Sequence, residues 1–269
     1  MKNSPLVTIV TISYNQAEFL ERTIISVINQ TYKNIEYIIF DGGSTDGSLE
    51  IIEKYKSYFK YVHIGPDGGA ASALNSAFKL ASGDFHAYIN SDDELNLNAV
   101  ETWVKAFKKY PNSDIIYGDI DIIDKNGKPT TLPGRKVTTF LAGPYNKRIG
   151  YCGASAIPQQ ASCAKSHIFK DIGGFESDNR SCWDGEFFVD AAIMGAKFKR
   201  ISGVIAKFRV HNSSISGTNK HEEFRKKDHA RIKEKWNKSS VKVSKIECVF
   251  YRYFIKTYRA LRYISSYRK

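Results

Sequence analysis

Cysteine is scarce in this chain of 269 residues, which has only Cys152, Cys163, Cys182 and Cys248. The four lie far apart and none forms a C-x-x-C pair, so neither a zinc-ligand spacing nor a thioredoxin-like redox motif is present. We therefore expect a reduced, cytosolic environment, in which disulfides are rare. Hydrophobic residues make up 42% of the chain, which is enough to bury a sizeable core.

Long apolar runs and two common nucleotide-binding motifs are also missing. No stretch approaches the roughly 20 apolar residues of a membrane-spanning helix, and residues 1–10 lead into a strand pattern instead of a signal peptide. No G-x-G-x-x-G follows the first predicted strand, and no G-x-x-x-x-G-K-S/T occurs. We expect a cytoplasmic protein without a dinucleotide fingerprint or a P-loop.

Acidic residues are fewer than basic ones: the chain has 28 Asp and Glu and 40 Lys and Arg, for a net charge of +12. This excess favours an anionic partner, such as a nucleotide, a nucleic acid or an acidic membrane. Much of it falls in residues 239–269, where one side of a helical wheel carries Ile246, Phe250, Phe254, Leu261 and Ile264, and the opposite side carries Lys245, Arg252, Lys256 and Arg259. The pattern predicts a basic amphipathic helix that packs on the domain, lies on the inner face of the plasma membrane, or does both.

The first half of the chain alternates between two kinds of hydrophobic pattern. Strand patterns cover 6–13, 35–40, 61–64 and a run that ends at Asn90, and helical patterns cover 18–30, 44–58, 70–81 and 96–110. This rhythm predicts an α/β fold, with a mostly parallel sheet and helices on both faces. Residues 114–124 alternate like an exposed strand, residues 125–128 form a predicted hairpin turn, and the Pro- and Gly-rich residues 129–160 predict loops.

Each predicted strand of the first half ends in a polar cluster. The clusters are Ser13–Asn15, Asp41–Asp46, Pro66–Gly69 and Asn90–Asp93. Because ligands of open α/β sheets bind outside the carboxyl ends of the strands, these side chains are expected to converge on one ligand. Asp41 would accept a hydrogen bond from a base, Asp92 from a ribose, and Asp93 would hold a metal-bound diphosphate. The structural alternative is that the acids cap the following helices, with Ser44 as an N-cap.

Four segments in order resemble family 2 glycosyltransferases of the GT-A fold. They are residues 7–48, SGDFHAYINSDDEL at 82–95, the Gly173–Phe175 turn followed by WDGEFF at 183–188, and FRVHNSSIS at 208–216. The resemblance implies a glycosyltransferase domain over 1–238, with a nucleotide-binding half (1–95), an acceptor-binding half (96–238) and the helical tail 239–269.

The resemblance also implies roles for individual residues. The nucleotide would contact Ile12, Ser13, Tyr14, Asn15, Asp41, Asp67, Gly68, Asn75, Ser91 and Asp92. A divalent cation, Mn²⁺ or Mg²⁺, would be bound by Asp93 and His211, and the acceptor would meet Gln159 and Gln160. The catalytic base would be Asp184, with Glu186 as the alternative. One base and no protein nucleophile predict inversion at the anomeric carbon.

The function implied is transfer of a sugar from a nucleotide diphosphate sugar, with UDP as the first candidate, to a hydroxyl of a growing, lipid-linked surface polysaccharide. The partners would be that donor, that acceptor and an anionic membrane, and no nucleic acid. Two alternatives stay open. One is a sugar-1-phosphate nucleotidyltransferase, although the first strand lacks a Gly-rich basic signature, and the other is a nucleic-acid-binding protein, although the strand ends are acidic.

Overall fold

A mixed eight-stranded sheet runs through the computed structural model, which describes residues 4–132, 135–136, 143–153, 156–211 and 222–266. Its strands, in spatial order, are β3 (Tyr61–Ile64), β2 (Ile35–Asp41), β1 (Val7–Ser13), β4 (Phe85–Asn90), β9 (Ser162–Lys165), β6 (Ile115–Ile123), β10 (Phe198–Arg209) and β5 (Glu94–Leu95). The first four strands pair in parallel, β9 is antiparallel to both its neighbours, and β10 is parallel to β6. Two short strands, β7 (Thr131–Leu132) and β8 (Arg135–Lys136), form a separate hairpin.

Helices cover both faces of this sheet. They are α1 (Ala17–Ile28), α2 (Ser48–Lys54), α3 (Ala70–Leu80), α4 (Ala99–Lys109), α5 (Lys147–Tyr151), α6 (Ser166–Asp171), α7 (Trp183–Met194), α8 (Glu222–Lys238) and α9 (Lys245–Ser266). Alternate residues of the strands enter two separate cores: Ile9 packs with α1 and α4 on one face, and Val10 packs with α3 and α7 on the other. The predicted α/β architecture is confirmed.

The predicted helix over 44–58 is shorter than expected. It begins at Ser48 after Gly47, which has a positive φ of 96°, and it ends at Lys54. Ser44 is therefore not its N-cap, and the sequence prediction on this point was wrong. The reason is that the Asp41 carboxylate binds both the backbone N–H and the hydroxyl of Ser44, which keeps this residue in the preceding loop.

The prediction of an exposed strand at 114–124 was also wrong, because β6 lies inside the sheet and is mostly buried. Strands β9 and β10, which come later in the chain, pair with both of its edges and bury its polar alternate positions. The predicted turn at 125–128 is confirmed: the Gly127 N–H donates to the Asp124 carbonyl, and the Asp124 N–H to that of Lys128.

A disulfide joins Cys152, just after α5, to Cys248 in α9. The expectation of a reduced protein, which rested on the absence of a C-x-x-C pair, was wrong for these two cysteines, because the fold brings residues 96 positions apart into contact. Cys163 is free and buried, and Cys182 is free and partly exposed. The disulfide fixes the tail helix to the body of the protein.

The described side chains of the first part of helix α9, residues 245–257, pack on the protein mainly through one face. Ile255 is buried, and the Arg252 guanidinium donates to the Cys152 carbonyl at 3.0 Å. Glu247 pairs with Arg148, and it also forms a reciprocal capping interaction with Ser244 at the start of the helix. Within the described part of the chain, no helix has the length and apolar character needed to cross a bilayer.

Candidate active site

The carboxyl ends of the first four strands meet at one edge of the sheet. In the strand register, Ser13 is paired with Asp41, Asp41 with Ile64, and Ile12 with Asn90. The polar residues that follow these positions are thus brought together, as the sequence pattern predicted. A second set of polar groups, from β10 and the start of α7, reaches the same edge.

An aromatic ring and a carboxylate flank Gly42 at the β1–β2 side of this edge. A Cβ atom placed on Gly42 would lie 3.2 Å from Tyr14 Cδ2 and 3.4 Å from Asp67 Oδ2. Tyr14 is 62% exposed, so its ring face is available to a ligand. Beneath them Ile12 and Ser13 are buried, and the Ser13 hydroxyl has no hydrogen-bond partner among the described residues. This combination of a flat ring, a small residue and acceptor oxygens suits a nucleobase.

Asp41 is fully buried and holds the loop that follows β2. Its Oδ1 accepts from the N–H groups of Gly43 and Ser44, and its Oδ2 accepts from the Ser44 hydroxyl. Asn15, with a positive φ of 51°, adds a second clamp, since its side-chain oxygen accepts from the Thr45 N–H at 2.9 Å. Because Oδ1 already accepts two hydrogen bonds and Oδ2 accepts one, a contact between Asp41 and a base would have to use the remaining lone pair of Oδ2.

Asn75 and Gly68 lie where the nucleotide half meets the loop that leads to α7. The Asn75 amide donates to the Phe175 carbonyl and accepts from the Phe175 N–H, so it uses both its polar atoms in packing. The Gly68 carbonyl accepts from Arg180 Nη1 at 2.8 Å. Gly69 has a positive φ of 95°, which side chains rarely adopt and which explains the glycine at that position.

Asp92 and His211 form a polar pair at this edge, with His211 buried and Asp92 partly buried. His211 Nε2 lies 3.0 Å from Asp92 Oδ2, and the imidazole packs against the ring of Phe19. The two residues come from the β4–β5 loop and the end of β10, and they are 119 positions apart in the chain. Residues 212–216 of the FRVHNSSIS segment lie outside the described residues.

Asp93 points the other way, into the protein. It is fully buried, its Oδ1 accepts from the Arg209 N–H at 2.8 Å, and the Gln160 side chain faces it. Burial and the neighbouring charge of Asp92 raise the pKa of Asp93 well above its ordinary value. Ser91, next to it, is also buried, and its carbonyl accepts from the Thr23 hydroxyl.

Arg209 is the residue that holds this acidic loop, and the sequence analysis missed it. It is fully buried, its Nε donates to the Asp92 carbonyl at 2.8 Å, and its guanidinium pairs with Glu94. Its Nη1 also donates to the Asp124 carbonyl. The signal in the sequence was its position two residues before His211, at the end of a strand.

Gln159 and Gln160 are buried beneath the acidic motif. The Gln159 amide donates to the Tyr88 carbonyl at 2.7 Å, and its side-chain oxygen has no hydrogen-bond partner among the described residues. These glutamines therefore support β4 and Asp93 from inside, and they do not form an outer surface for an acceptor in this conformation.

Asp184 lies in the first turn of α7 and is partly buried. It lines an internal cavity with Tyr88, Phe175 and Phe187, and burial raises the pKa of its carboxyl. Burial also raises the pKa of the Tyr88 hydroxyl, and the negative charges of Asp184 and Asp93 raise it further. Tyr88 is thus near both acids, which brings the acidic motif and the predicted base to the same place.

Glu186 has a different environment, although it is only two residues away. It is fully buried, and its carboxylate accepts from Arg231 of α8 at 2.7 Å, from Lys235 at 2.8 Å and from Asn179 at 2.7 Å. Burial opposes ionisation, but these hydrogen bonds outweigh it and lower the pKa of Glu186. Its oxygens are occupied in joining α7 to α8, whereas burial raises the pKa of Asp184.

The residues at this edge could hold a divalent cation only if a bound diphosphate and water complete its coordination. Among the residues that the structure describes, no group of three or more Asp, Glu, His or Cys side chains is placed to hold a metal ion. Asp92 and His211 supply one carboxylate oxygen and one imidazole nitrogen. Mg²⁺-type sites of nucleotide enzymes use one or two carboxylates and complete their coordination with phosphate oxygens and water.

The sequence profile of glycosyl transferase family 2 matches residues 8–170, which is more than half of the chain. The chain belongs to glycosyl transferase family 2. The matched region contains the four strand ends, the Asp92–Asp93 motif and the buried glutamines, and Asp184 and His211 follow it.

Relatives and solved structures agree with this family. An uncharacterized glycosyltransferase of Mycobacterium tuberculosis is 28% identical over 202 residues, which are 72% of this family 2 chain and 71% of the relative. The chondroitin synthase of Pasteurella multocida is 39% identical over 115 residues, which cover 42% of this chain but only 12% of that synthase.

Two solved structures show the same fold. TarS 1–349 of S. aureus, in complex with UDP-GlcNAc, has a TM-score of 0.70 at 19% identity, over 88% of this chain and 68% of the TarS 1–349 chain. The mannosyltransferase PcManGT of Pyrobaculum calidifontis, in complex with GDP-Man and Mn²⁺, has a TM-score of 0.59 at 19% identity, over 80% and 59% of the two chains. The GT-A fold expected from the sequence is confirmed.

Proposed function

We propose that this family 2 glycosyltransferase moves a sugar from a nucleotide diphosphate sugar to an acceptor hydroxyl, with inversion at the anomeric carbon. The observation that carries the proposal is the convergence of two acidic groups of different character at one sheet edge. The Asp92–His211 pair is polar and largely buried, and Asp184 is a partly buried carboxylate with a raised pKa and, among the described residues, no cationic partner of the kind that Glu186 has. Tyr88 lies near both parts of the site.

The donor is held at the ends of the first four strands. The base lies between Tyr14 and Asp67, over Gly42, and UDP is the nucleotide we propose, since TarS, which has the same fold, was solved with UDP-GlcNAc. A hexose or N-acetylhexosamine is the sugar. A divalent cation bound by Asp92 and His211 would stabilise the negative charge that develops on the leaving diphosphate.

This assignment revises the sequence prediction for the cation, which named Asp93 and His211. Asp93 is buried against Arg209 and Gln160, whereas Asp92 faces His211. We therefore give the carboxylate ligand to Asp92, and we give Asp93 the role of shaping the loop from behind. Mn²⁺ or Mg²⁺ suits this pair of ligands.

The transfer itself requires one proton acceptor. The acceptor oxygen attacks the anomeric carbon, its proton passes to the Asp184 carboxylate, and the bond from that carbon to the diphosphate oxygen breaks with its electron pair going to the diphosphate. A carboxylate with a raised pKa is a better base than an exposed one. Because no covalent sugar–enzyme intermediate is formed, the configuration inverts.

The acceptor we propose is a hydroxyl of a growing surface polysaccharide that is linked to a lipid. Such an acceptor would bring the enzyme to the inner face of the plasma membrane. The synthases of Pasteurella multocida to which the chain is similar are named for polysaccharides, which agrees with a glycan acceptor. Chondroitin and hyaluronan are products named for those proteins, and neither is assigned to this one.

The donor site is tested by calorimetric titration of UDP, dTDP and GDP into the protein, with Mn²⁺ and then with EDTA. We expect one nucleotide, UDP, to bind in a cation-dependent manner, and Asp92→Asn to weaken this binding at least about tenfold by removing a cation ligand. Asp171→Asn, an exposed acid on α6, is the control and should bind as the wild type does. Equal binding by wild type and Asp92→Asn would contradict the cation assignment, and no binding of any nucleotide would contradict the donor site.

A further inference from the structure

The outer face of α9 is a continuous apolar surface. Its members are Ile246, Val249, Phe250, Tyr253 and Phe254, with exposed fractions of 82%, 67%, 63%, 71% and 44%. Positions i, i+3, i+4, i+7 and i+8 lie on one side of a helix, so these side chains form a single stripe. The sequence pattern allowed this stripe to pack on the domain, but the helix packs through its opposite side.

Three contacts fix this orientation. Cys248 is bonded to Cys152, Ile255 is buried, and Arg252 donates to the Cys152 carbonyl. They lie on the side of α9 away from the stripe, and the pairing of Glu247 with Arg148 adds a contact near the start of the helix. The apolar stripe is thus turned outward by covalent and polar links, and its exposure is a consequence of how the helix is attached.

The positive charge of this part of the chain favours an anionic partner for the stripe. Residues 239–269 contain eight Lys and Arg and one acidic residue, Glu247, which is already paired with Arg148. Lys242, Lys245 and Lys256 are exposed on or beside α9. Phenylalanine and tyrosine on an apolar face, flanked by lysines with long aliphatic stems, form the pattern of a helix that lies in the surface of an anionic bilayer.

A second copy of this chain fits the stripe less well. Two copies that met through it would bring Lys245 and Lys256 of one copy close to the same lysines of the other, which is repulsive. Anionic lipid headgroups neutralise the same charges. We infer that the Ile246–Phe254 face of α9 is a docking surface for an anionic lipid bilayer, on which the helix lies parallel to the membrane plane. The inference goes beyond the proposed function, because it holds whether or not the site transfers a sugar.

Vesicle co-sedimentation of the full chain tests this surface, with phosphatidylcholine vesicles and with phosphatidylcholine–phosphatidylglycerol vesicles. We expect binding to the anionic vesicles only, and we expect it to weaken when salt is raised from about 0.1 M to about 1 M, where the Debye length falls to about 3 Å. The variant Ile246→Ser/Phe250→Ser removes two exposed apolar side chains, and its partition should fall at least about tenfold.

The matched control is Leu97→Ser/Met194→Ser, which removes two exposed apolar side chains from the body of the protein and should bind the vesicles as the wild type does. Thermal unfolding and nucleotide titration should be the same for both double variants, since the four positions are exposed. Unchanged vesicle binding by Ile246→Ser/Phe250→Ser would overturn the inference. So would a wild-type dimer that this variant converts to a monomer, because the stripe would then join two copies.

Discussion

Asp184 and Glu186 are two residues apart on α7, yet their surroundings give them different properties. Asp184 borders a cavity of aromatic side chains, and burial raises its pKa. Glu186 is held by Arg231, Lys235 and Asn179, which lower its pKa. A base must accept a proton during the reaction, so the carboxylate without fixed cationic partners is suited to this role.

Replacing Asp184 by Asn should abolish turnover without loss of donor binding. We expect kcat to fall by about 10²–10⁴-fold, the usual effect of losing a general base, while the nucleotide affinity stays within about twofold. Initial rates and calorimetric titration measure the two quantities. Asp190→Asn, on the same helix, is the control and should remain active. A parallel loss of binding in Asp184→Asn would show that this residue holds the donor instead.

His86 makes the stability of the protein sensitive to acid. Burial lowers its pKa to about 4, and its ring packs against Phe78 and Phe169. The unfolded chain takes up a proton near pH 6.5, and the folded protein does so only near pH 4. The stability from neutral His86 is therefore complete above pH 6.5 and is lost as pH falls toward 4, by about 3 kcal/mol in total.

Urea unfolding at pH 7 and pH 4.5 tests this effect in the wild type and in His86→Phe. The phenylalanine fits the aromatic surroundings and cannot be protonated, so the variant should lose less free energy of unfolding between the two pH values. Carboxylates that do not interact with His86 change equally in both proteins, so the difference between them reports His86 together with its neighbour Glu36. The same decrease in both would remove His86 as the cause.

Helix α8 holds α7 in place through buried ion pairs. Arg231 donates to Glu186 and to Asp228, and Asp228 in turn accepts from the backbone N–H groups of Arg180 and Ser181, just before α7 begins. These contacts position the first turn of α7, which carries Asp184. Helix α8 thus positions Asp184 through α7, without contacting Asp184 itself.

Removing one partner of this network should cost more than removing both. Arg231→Met leaves the buried Glu186 without its main partner and should lower the free energy of unfolding by about 3 kcal/mol or more. Arg231→Met/Glu186→Met should recover part of this loss, because the buried Glu186 charge is removed together with its main partner. Urea unfolding of the two single variants and the double variant measures the coupling, and strictly additive losses would mean that the pair is not coupled.

The disulfide between Cys152, just after α5, and Cys248 of α9 can be tested directly. Unfolding without reductant should expose two reactive thiols, from Cys163 and Cys182, instead of four. Reductant should lower the stability by about 2–4 kcal/mol, since the bond closes a long loop. Cys152→Ser/Cys248→Ser should show no effect of reductant on stability. Four reactive thiols in the untreated protein would show that the two cysteines are reduced, as the sequence analysis expected.

At the scale of the whole molecule, the predicted halves 1–95 and 96–238 share one sheet. Strand β4 of the first half pairs with β9 of the second, and β5 pairs with β10. Both hydrophobic cores contain residues from each half. We therefore expect that the two halves are not independently stable units.

A fragment of residues 1–95 should accordingly fail to fold by itself. Its last strands would lose their partners, and the cores on both faces of β4 would be open to water. Circular dichroism of this fragment, compared with the full chain, checks the expectation. The full chain should unfold in one transition across the sheet. A cooperative transition of the fragment, with native-like dichroism, would make the nucleotide half a separate domain.

Local patterns account for what the sequence predicted well. The alternation of strand and helix spacings from residue 6 to residue 110 gave the α/β architecture, and polar residues after each strand gave the site edge. These features depend on residues that are close together in the sequence, so local patterns predict them. The helix over 44–58 was too long because the side-chain hydrogen bonds of Asp41 compete with the helix in its first residues.

The sequence by itself determined the family, the strands that end in polar residues, and the acidic residues from which we propose the site is built. Only the tertiary structure decided that Asp92 contacts His211, whereas Asp93 and Glu186 are fully buried. Asp93 is held by Arg209, 116 residues away, and Glu186 by Arg231, 45 residues away. The outward turn of α9 likewise follows from a bond to Cys152. Long-range contacts set burial and charge, and no local pattern encodes them.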